Sequence, residues 1–297
     1  MPDKRPRGYQ PGWKPRAHTV QLLTAVERVL ARYAAQLPLT IRQIWYALVS
    51  DDVLAKQERT YKRLVELCGM ARRSGRIPWE AIRDDTETAA EPVAFTGVTD
   101  FQQAQLEAAR AYRLDRQAGQ PARIELFCET AGMVPQLAAV AEPFGVPCYS
   151  GSGYNSLPGK RGAARRAAEG GHAAVHIMVI SDWDPSGLHL FTALAEDITA
   201  FAATDAPGIP FTFERLAVTE DQVTELGLPT APVKATDRRS FAGTSTTQAE
   251  ALSPAALAGI VHTAISRHRD PDALDAVLAR EHAERQALLH DLGHGPH

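Results

Sequence analysis

The sequence has no run of about 18 apolar residues and no charged-then-apolar leader, the patterns typical of a transmembrane helix and a signal peptide. It also has few cysteines: Cys68, Cys128 and Cys148 are the only three, and no two of them have Cys-x-x-Cys spacing. Cys128 and Cys148 stand in apolar, strand-like surroundings, so we expect buried free thiols. These absences predict a cytoplasmic protein that does not enter a membrane.

The small net charge of −3 hides an uneven distribution along the 297 residues. Residues 1–83 carry 16 Lys and Arg against 7 Asp and Glu, whereas residues 84–297 carry 16 against 28. A basic first third joined to an acidic remainder indicates a polyanion-binding module attached to a part that binds cations. The alternative is a solvated basic surface without a partner.

The most informative pattern is a pair of carboxylates after an apolar run. Residues 173–180 read as a buried strand, and Asp182 and Asp184 follow it directly, before a helical pattern begins. A second apolar stretch, residues 124–128, ends in Glu129. Open α/β sheets bind ligands at the carboxyl edge of their strands, and carboxylates suit Mg²⁺ or Mn²⁺. We therefore predict a metal site formed by these three acids.

A plainer interpretation exists for one of them. Asp184 stands before Pro185, and an N-cap Asp followed by Pro is a common way to begin a helix. That interpretation leaves Asp182 and Glu129 unexplained at the ends of their strands.

The basic third predicts a helical, DNA-binding domain. Residues 1–16, rich in Pro, Gly and basic residues, predict a flexible arm, and residues 17–95 a winged-helix-like domain. Three helices are expected there, over residues 18–36, 41–49 (capped by Thr40) and 57–74. Basic side chains crowd the third helix, and we predict that they meet DNA phosphates: Arg59, Lys62, Arg63, Arg72, Arg73 and Arg76.

The acidic remainder alternates between strand and helix patterns, which predicts an α/β fold with a mainly parallel, Rossmann-like sheet in residues 122–297. Residues 84–101 read as an interdomain linker, with a linker helix assigned to 96–121. The C-terminal stretch 253–292 looks helical. The internal elements expected are strands at 124–128, 146–149, 173–180 and 211–217, and helices at 132–142, 160–168 and 188–203.

These residues carry a family resemblance. The stretch Thr40–Tyr46, with Arg42 and paired aromatics ending in Tyr46, resembles the catalytic-tyrosine motif of the topoisomerase VI A subunit and its meiotic double-strand-break relatives. Glu129 and the Asp-Trp-Asp-Pro stretch resemble the acids of their Toprim domain. Residues 77–82 are similar to standalone bacterial and phage members of this superfamily. The likeness spans about residues 38–190.

The resemblance implies a winged-helix domain followed by a Toprim domain, in a homodimer that cleaves double-stranded DNA with Mg²⁺. Tyr46 would attack a phosphodiester and leave a 5′-phosphotyrosyl link, while Arg42, four residues away on the same helix face, grips the phosphate. The tyrosine of one subunit would face the metal of its partner. The chain shows no complete P-loop, which leaves open a separate ATPase partner.

Other roles stay open. Thr130 stands where many standalone relatives have Lys, and a related anti-plasmid nuclease of the Wadjet type cuts DNA without a tyrosine intermediate. Tyr46 could instead be a core aromatic beside Trp45, with water as the nucleophile. A non-catalytic DNA-binding protein of the same fold is the hypothesis from another class, and the three intact acids argue against it.

Overall fold

A computed structural model describes residues 9–83, 92–150, 157–233 and 241–293. The chain is mixed α/β, and the parallel sheet predicted for its second part is confirmed. No helix in these ranges is both long enough and apolar enough to cross a lipid bilayer. All three cysteines are free thiols, two of them buried and Cys148 half-buried.

The N-terminal part is built from helices packed on one apolar core. The core includes Leu23, Val26, Ile44 and Leu64, one or more from each helix. The helices confirm the sequence prediction to within a few residues at each end: they are α1 (Ala17–Arg32), α2 (Ile41–Ser50) and α3 (Glu58–Arg73).

Thr40 begins α2 as predicted. Its hydroxyl oxygen accepts from the Gln43 N–H at 3.1 Å, and its own N–H donates to Gln43 Oε1 at 2.9 Å. This reciprocal capping box satisfies two backbone donors that the first turn of a helix leaves unpaired, worth about 1 kcal/mol. It fixes where α2 starts, and hence the direction in which Arg42 and Tyr46 project.

The described residues after α3 do not form the hairpin of a wing. A two-residue strand, β1 (Leu39–Thr40), pairs in parallel with β2 (Ile82–Arg83). The helix order of the prediction is present, but the winged-helix arrangement is not confirmed. In the predicted flexible arm, residues 1–8 lie outside the described ranges, while Gln10 donates its N–H to the Arg73 carbonyl at 2.7 Å and Trp13 packs on the core.

The segment between the two parts contains a shorter helix than the sequence predicts. Of the predicted linker, residues 84–91 lie outside the described ranges. Helix α4 (Val98–Arg110) then begins, and it ends 11 residues before the boundary assigned to a linker helix. Residues 115–118 turn instead, with the Ala118 N–H donating to the Asp115 carbonyl.

The second part is a four-stranded parallel sheet with strand order β4-β3-β5-β6. Side chains alternate along β5: Val175, Ile177 and Val179 enter one core, while Met178 and Ile180 enter the other. Alternation on both faces requires helices on both faces. The strands are β3 (Arg123–Cys128), β4 (Cys148–Ser150), β5 (Val175–Ile180) and β6 (Phe211–Ala217).

Helices cover both faces of this sheet. One face packs against α5 (Val134–Ala141) and α9 (Pro254–Arg267), the other against α6 (Leu157–Gly170) and α7 (Pro185–Asp205). The remaining α-helices and strands of the second part all follow β6 in the sequence. They are α8 (Glu220–Glu225), the antiparallel pair β7 (Ala231–Pro232) and β8 (Ser245–Thr246), and α10 (Pro271–Gly293).

Candidate functional site

The three predicted acids lie at the carboxyl edge of the sheet. Glu129 follows β3 and Asp182 follows the neighbouring strand β5, and the Asp182 N–H donates to Glu129 Oε2 at 3.1 Å. Asp184 is the N-cap of α7, since its Oδ1 accepts from the Gly187 N–H at 2.7 Å. The plainer interpretation of Asp184 is therefore confirmed, and it occupies only one oxygen of that carboxylate.

Each of these carboxylates has one oxygen held by a backbone N–H. For Asp182 the donor is Ala249, whose N–H lies 2.8 Å from Oδ1. The second oxygen of each acid accepts no hydrogen bond from the described residues. A carboxylate oriented through one oxygen can offer the other to a hard cation, so this donor set fits Mg²⁺ or Mn²⁺.

The acids are not gathered into a ready-made metal cluster. Within the described ranges, no three Asp, Glu, His or Cys side chains are arranged so that they could hold an ion. Binding of a cation would therefore require these carboxylates to rotate toward one another.

Burial and the charges of neighbouring carboxylates raise the pKa of both Asp182 and Glu129. Burial raises the pKa of Asp182 to about 7, helped by the charges of Glu129 and Asp184 and opposed by the hydrogen bond from Ala249. Burial likewise raises the pKa of Glu129, with Asp184 adding to the effect. A cation between these groups would favour their charged forms.

Arg215 holds the turn that carries Asp182. Its Nη2 donates to the Asp182 carbonyl oxygen at 2.9 Å and its Nε to Ser181 Oγ at 3.1 Å, while the guanidinium lies 5.2 Å from the centre of the Trp183 ring. Burial lowers the pKa of Arg215 to about 10, so it stays charged at neutral pH. Its hydrogen bonds go to a backbone carbonyl and a serine hydroxyl rather than to the carboxylates.

Gly187 allows the first turn of α7 to approach this turn. A Cβ at position 187 would lie 2.2 Å from the Asp182 carbonyl oxygen, far closer than atoms can approach. The glycine at the end of the Asp-Trp-Asp-Pro-Ser-Gly stretch is therefore required by close packing.

A later stretch of chain, residues 245–252, closes the site from the other side; we call it the return segment. Trp183 and Thr247 form an antiparallel bridge through two backbone hydrogen bonds of 2.8 and 3.0 Å. The return segment then supplies the Ala249 N–H to Asp182, and it brings Gln248 and Glu250 against α2.

Tyr46 lies inside the N-terminal core, only 1% exposed, with its ring 4.9 Å from that of Trp45. Its hydroxyl donates to Gln248 Oε1. Burial raises its pKa well above the ordinary value, Glu250 and Asp182 raise it further, and Arg42 opposes them. A phenol in these surroundings is neutral, and the Asp182 carboxylate of the same chain is among the charges that act on it.

Arg42 faces the same groups from the surface of α2. Its Nη1 lies 3.4 Å from Gln248 Oε1, its Nε lies 3.4 Å from Glu250 Oε2, and its guanidinium is 5.2 Å from the Tyr61 ring centre. The Glu250 side chain is only 8% exposed, whereas that of Arg42 is 39% exposed. Arg42 thus keeps donors available to a phosphate.

A cavity of about 440 Å³ lies between α2, α3 and the loop after β3. Arg42, Arg72 and Arg83 line it from three different elements, so we call it the arginine cavity. Tyr61 and Glu250 also line it, and the remaining wall is formed by Thr40, Ile41, Val65, Thr130, Gly132 and Gln248.

The six predicted DNA-contacting residues do not form one surface. Arg59, Lys62 and Arg63 are exposed on the face of α3 opposite the core, with Arg73 half-buried on the same face. Arg72 points to the arginine cavity instead. Arg76 lies beyond the end of the helix, with its Nε 3.9 Å from Glu27 Oε1.

Sequence reasoning missed several residues that the structure places at the site. Lys56 lies 5.5 Å from the Tyr46 ring centre, donates to the Pro229 carbonyl at 2.9 Å, and has a pKa lowered by burial. Gln248 and Glu250 are separated from α2 by about 200 residues, so no local pattern could pair them.

Comparison with protein-family models, with curated proteins and with solved structures gave no match to this chain.

Proposed function

We propose that the protein is a metal-dependent phosphodiesterase that cleaves DNA strands with water as the nucleophile. The observation that carries this proposal is the set of three strand-end carboxylates, each tied by one backbone N–H and each with an oxygen still available. When bound, a divalent cation supplies Lewis-acid stabilisation of the charge that develops on the phosphate.

The chain's own residues would orient the substrate. Arg42, held by Gln248 and Glu250, can donate to a phosphate oxygen at the edge of the arginine cavity. Arg215 keeps the Asp182 turn in place through its hydrogen bond to the Asp182 carbonyl oxygen. The exposed basic face of α3 would meet the backbone of the duplex away from the cut.

The burial of Tyr46 favours water over the tyrosine as nucleophile. A phenol that is 1% exposed, engaged by Gln248 and raised in pKa cannot reach a phosphodiester without a rearrangement of α2. The second candidate, a transesterase using Tyr46, is kept because Arg42, Tyr46 and the Asp182 turn meet through the return segment of one chain. A homodimer and an ATPase partner belong to that second candidate.

The experiment is to incubate the purified protein with supercoiled plasmid in Mg²⁺ or Mn²⁺, and to separate the products with and without protease. We expect nicked or linear DNA with free 5′ ends, no cutting in chelator, and cutting by Tyr46→Phe within a few-fold of the parent. DNA that enters the gel only after proteolysis, together with loss of cutting in Tyr46→Phe, would establish the transesterase instead. Failure of every metal to support cutting would favour a non-catalytic DNA-binding protein.

A further inference from the structure

The arginine cavity brings together three guanidinium groups from separate elements. Arg42 comes from α2, Arg72 from α3 and Arg83 from β2, and Glu250 is the only carboxylate among the described residues that line the cavity. Like charges gathered from three elements repel one another, so such a cluster is favourable when an anion joins it. We propose that this cavity binds the terminal phosphate of a nucleic-acid strand.

The charge of the lining selects a terminal phosphate over an internal one. Among the described lining residues, three arginines and one glutamate give a formal balance of +2. A phosphate monoester carries about −1.5 to −2 at neutral pH, whereas a phosphodiester within a strand carries a single negative charge. The monoester at a strand end therefore complements the cavity better.

The size of the cavity selects a strand end over a continuous duplex. About 440 Å³ falls within the range of small-molecule sites and can take a nucleotide-sized group. A duplex, whose major groove alone is about 12 Å wide, cannot enter it. Duplex phosphates would instead meet the exposed face of α3 that carries Arg59, Lys62 and Arg63.

Arg72 is held in place before any ligand arrives. Its guanidinium lies 4.3 Å from the centre of the Trp79 ring, and its Nη2 donates to the Trp79 carbonyl at 3.3 Å. Its Nε is buried and donates to nothing in the described part of the chain. An oriented guanidinium with an unused buried donor is suited to a phosphate oxygen.

The cavity also adjoins the carboxylates. Thr130, next to Glu129, lines it, and so does Gln248, next to the Ala249 that donates to Asp182. A terminal phosphate bound here would place the first nucleotides of its strand beside the acids. The nature of the polymer rests on the proposed function, while the recognition of a phosphate monoester does not.

The test is calorimetric titration of the full chain, in chelator, with a single-stranded tetranucleotide carrying a 5′-phosphate, a 3′-phosphate or neither, and with inorganic phosphate as competitor. We expect one phosphorylated form to bind at least about tenfold tighter than the unphosphorylated one, as one or two charge-assisted hydrogen bonds would give. The 5′ and 3′ arms identify which end is bound. Inorganic phosphate should compete only weakly.

Variants separate the cavity from the rest of the basic surface. Arg72→Gln should abolish the phosphate preference, whereas Arg63→Gln, the same change on the exposed face of the same helix, should keep it. Arg83→Gln provides a second cavity variant should loss of the Trp79 contact unfold Arg72→Gln, and circular dichroism checks each fold. Equal binding of all tetranucleotides, or a preference that survives in both cavity variants, overturns the proposal.

Inorganic phosphate that binds as tightly as the phosphorylated tetranucleotide would overturn the strand assignment. Because no metal is present, a protein that cuts no DNA can still pass this test, and an active nuclease can still fail it.

Discussion

Glu125 and Glu129 lie four residues apart on the chain, at the middle and the end of β3, yet their surroundings differ sharply. Both oxygens of Glu125, which is fully buried, accept from guanidinium groups: Arg166 at 2.7 and 2.8 Å and Arg123 at 3.0 Å. Glu129 has one backbone N–H and no arginine partner among the described residues. Glu125, inside the sheet, therefore has both oxygens hydrogen-bonded, whereas Glu129, at the edge, has only one oxygen hydrogen-bonded by the described residues.

The C-terminal helix repeats the first pattern. Glu281, 2% exposed on α10, accepts from Arg116, from Arg285 and from the Leu114 N–H, and these bonds lower its pKa to about 2. Asp182 at the sheet edge has its pKa raised to about 7. Two buried acids within the fold, Glu125 and Glu281, are thus paired with guanidinium groups. Among the described residues the strand-end acids have no such partner, which makes them candidates for a ligand site.

Of the changes considered, neutralising Asp182 should have the largest effect on cutting, without a loss of thermal stability. Asp182→Asn is expected to reduce metal-dependent cutting by at least about 100-fold, since metal contacts contribute several kcal/mol to the transition state. In chelator the same change should leave the melting temperature unchanged or raise it, because it removes a poorly solvated charge. Plasmid cleavage and thermal melting measure the two effects.

Asp275→Asn, at an exposed position on α10, is the matched control and should change neither quantity. Undiminished cutting by Asp182→Asn would remove the sheet edge from the chemistry.

Neutralising Glu281 should lower stability and leave cutting intact, the opposite of the result expected for Asp182. Glu281→Gln is expected to lower the free energy of unfolding by about 2–3 kcal/mol, or the melting temperature by about 5 °C, because it weakens hydrogen bonds to two arginines. Cutting at a permissive temperature should be retained. A variant as stable as the parent would break the distinction between the two sets of acids.

The same two variants should respond to pH with opposite signs. The folded pKa of Glu281, about 2, lies below its ordinary 4.5, so its stabilisation is present above pH 4.5 and disappears as the pH falls toward 2. The folded pKa of Asp182, about 7, lies above its ordinary 3.8, so its ionisation costs stability increasingly from pH 4 to 7. Melting curves in chelator should therefore show the Glu281→Gln deficit shrinking in acid and any Asp182→Asn gain growing toward pH 7.

The smallest effect is expected from replacing basic residues of α3, and it is an effect on duplex binding. Lys62 is exposed and only loosely paired with Glu58 at 3.7 Å, unlike the arginines that hold Glu125 and Glu281. Replacing Lys62, Arg63 and Arg73 by Gln should weaken binding to all duplex sequences alike. The log–log salt slope should flatten by about 0.9 for each phosphate that the variant no longer neutralises. An unchanged slope would mean that the duplex binds to another surface of the protein.

Local patterns were enough to predict most of the fold. Apolar runs predicted β3 and β5 to within two residues at each end, and the strand expected at 211–217 is β6. Thr40 and Asp184 cap their helices. The winged-helix arrangement is not confirmed, and the predicted linker helix ends at Arg110, because tertiary packing overrides the local preferences from which both were predicted.

The candidate site was predictable only in part, for a related reason. Glu129 and Asp182 could be placed side by side because parallel strands end at a common edge. The separation of Arg72 from Arg63 depends on which side of α3 faces the cavity, and Gln248 reaches Tyr46 across 202 positions of sequence. Neither relation leaves a local signature.

The return segment has a consequence for the order of events during synthesis. The sheet-edge acids have all been made by residue 184, but the Ala249 N–H that orients Asp182 and the Gln248 and Glu250 contacts to α2 come some 65 residues later. Contacts this distant in sequence form late in folding. A nascent chain that stops before residue 245 therefore carries Glu129, Asp182 and Asp184 but lacks the Ala249 N–H that orients Asp182.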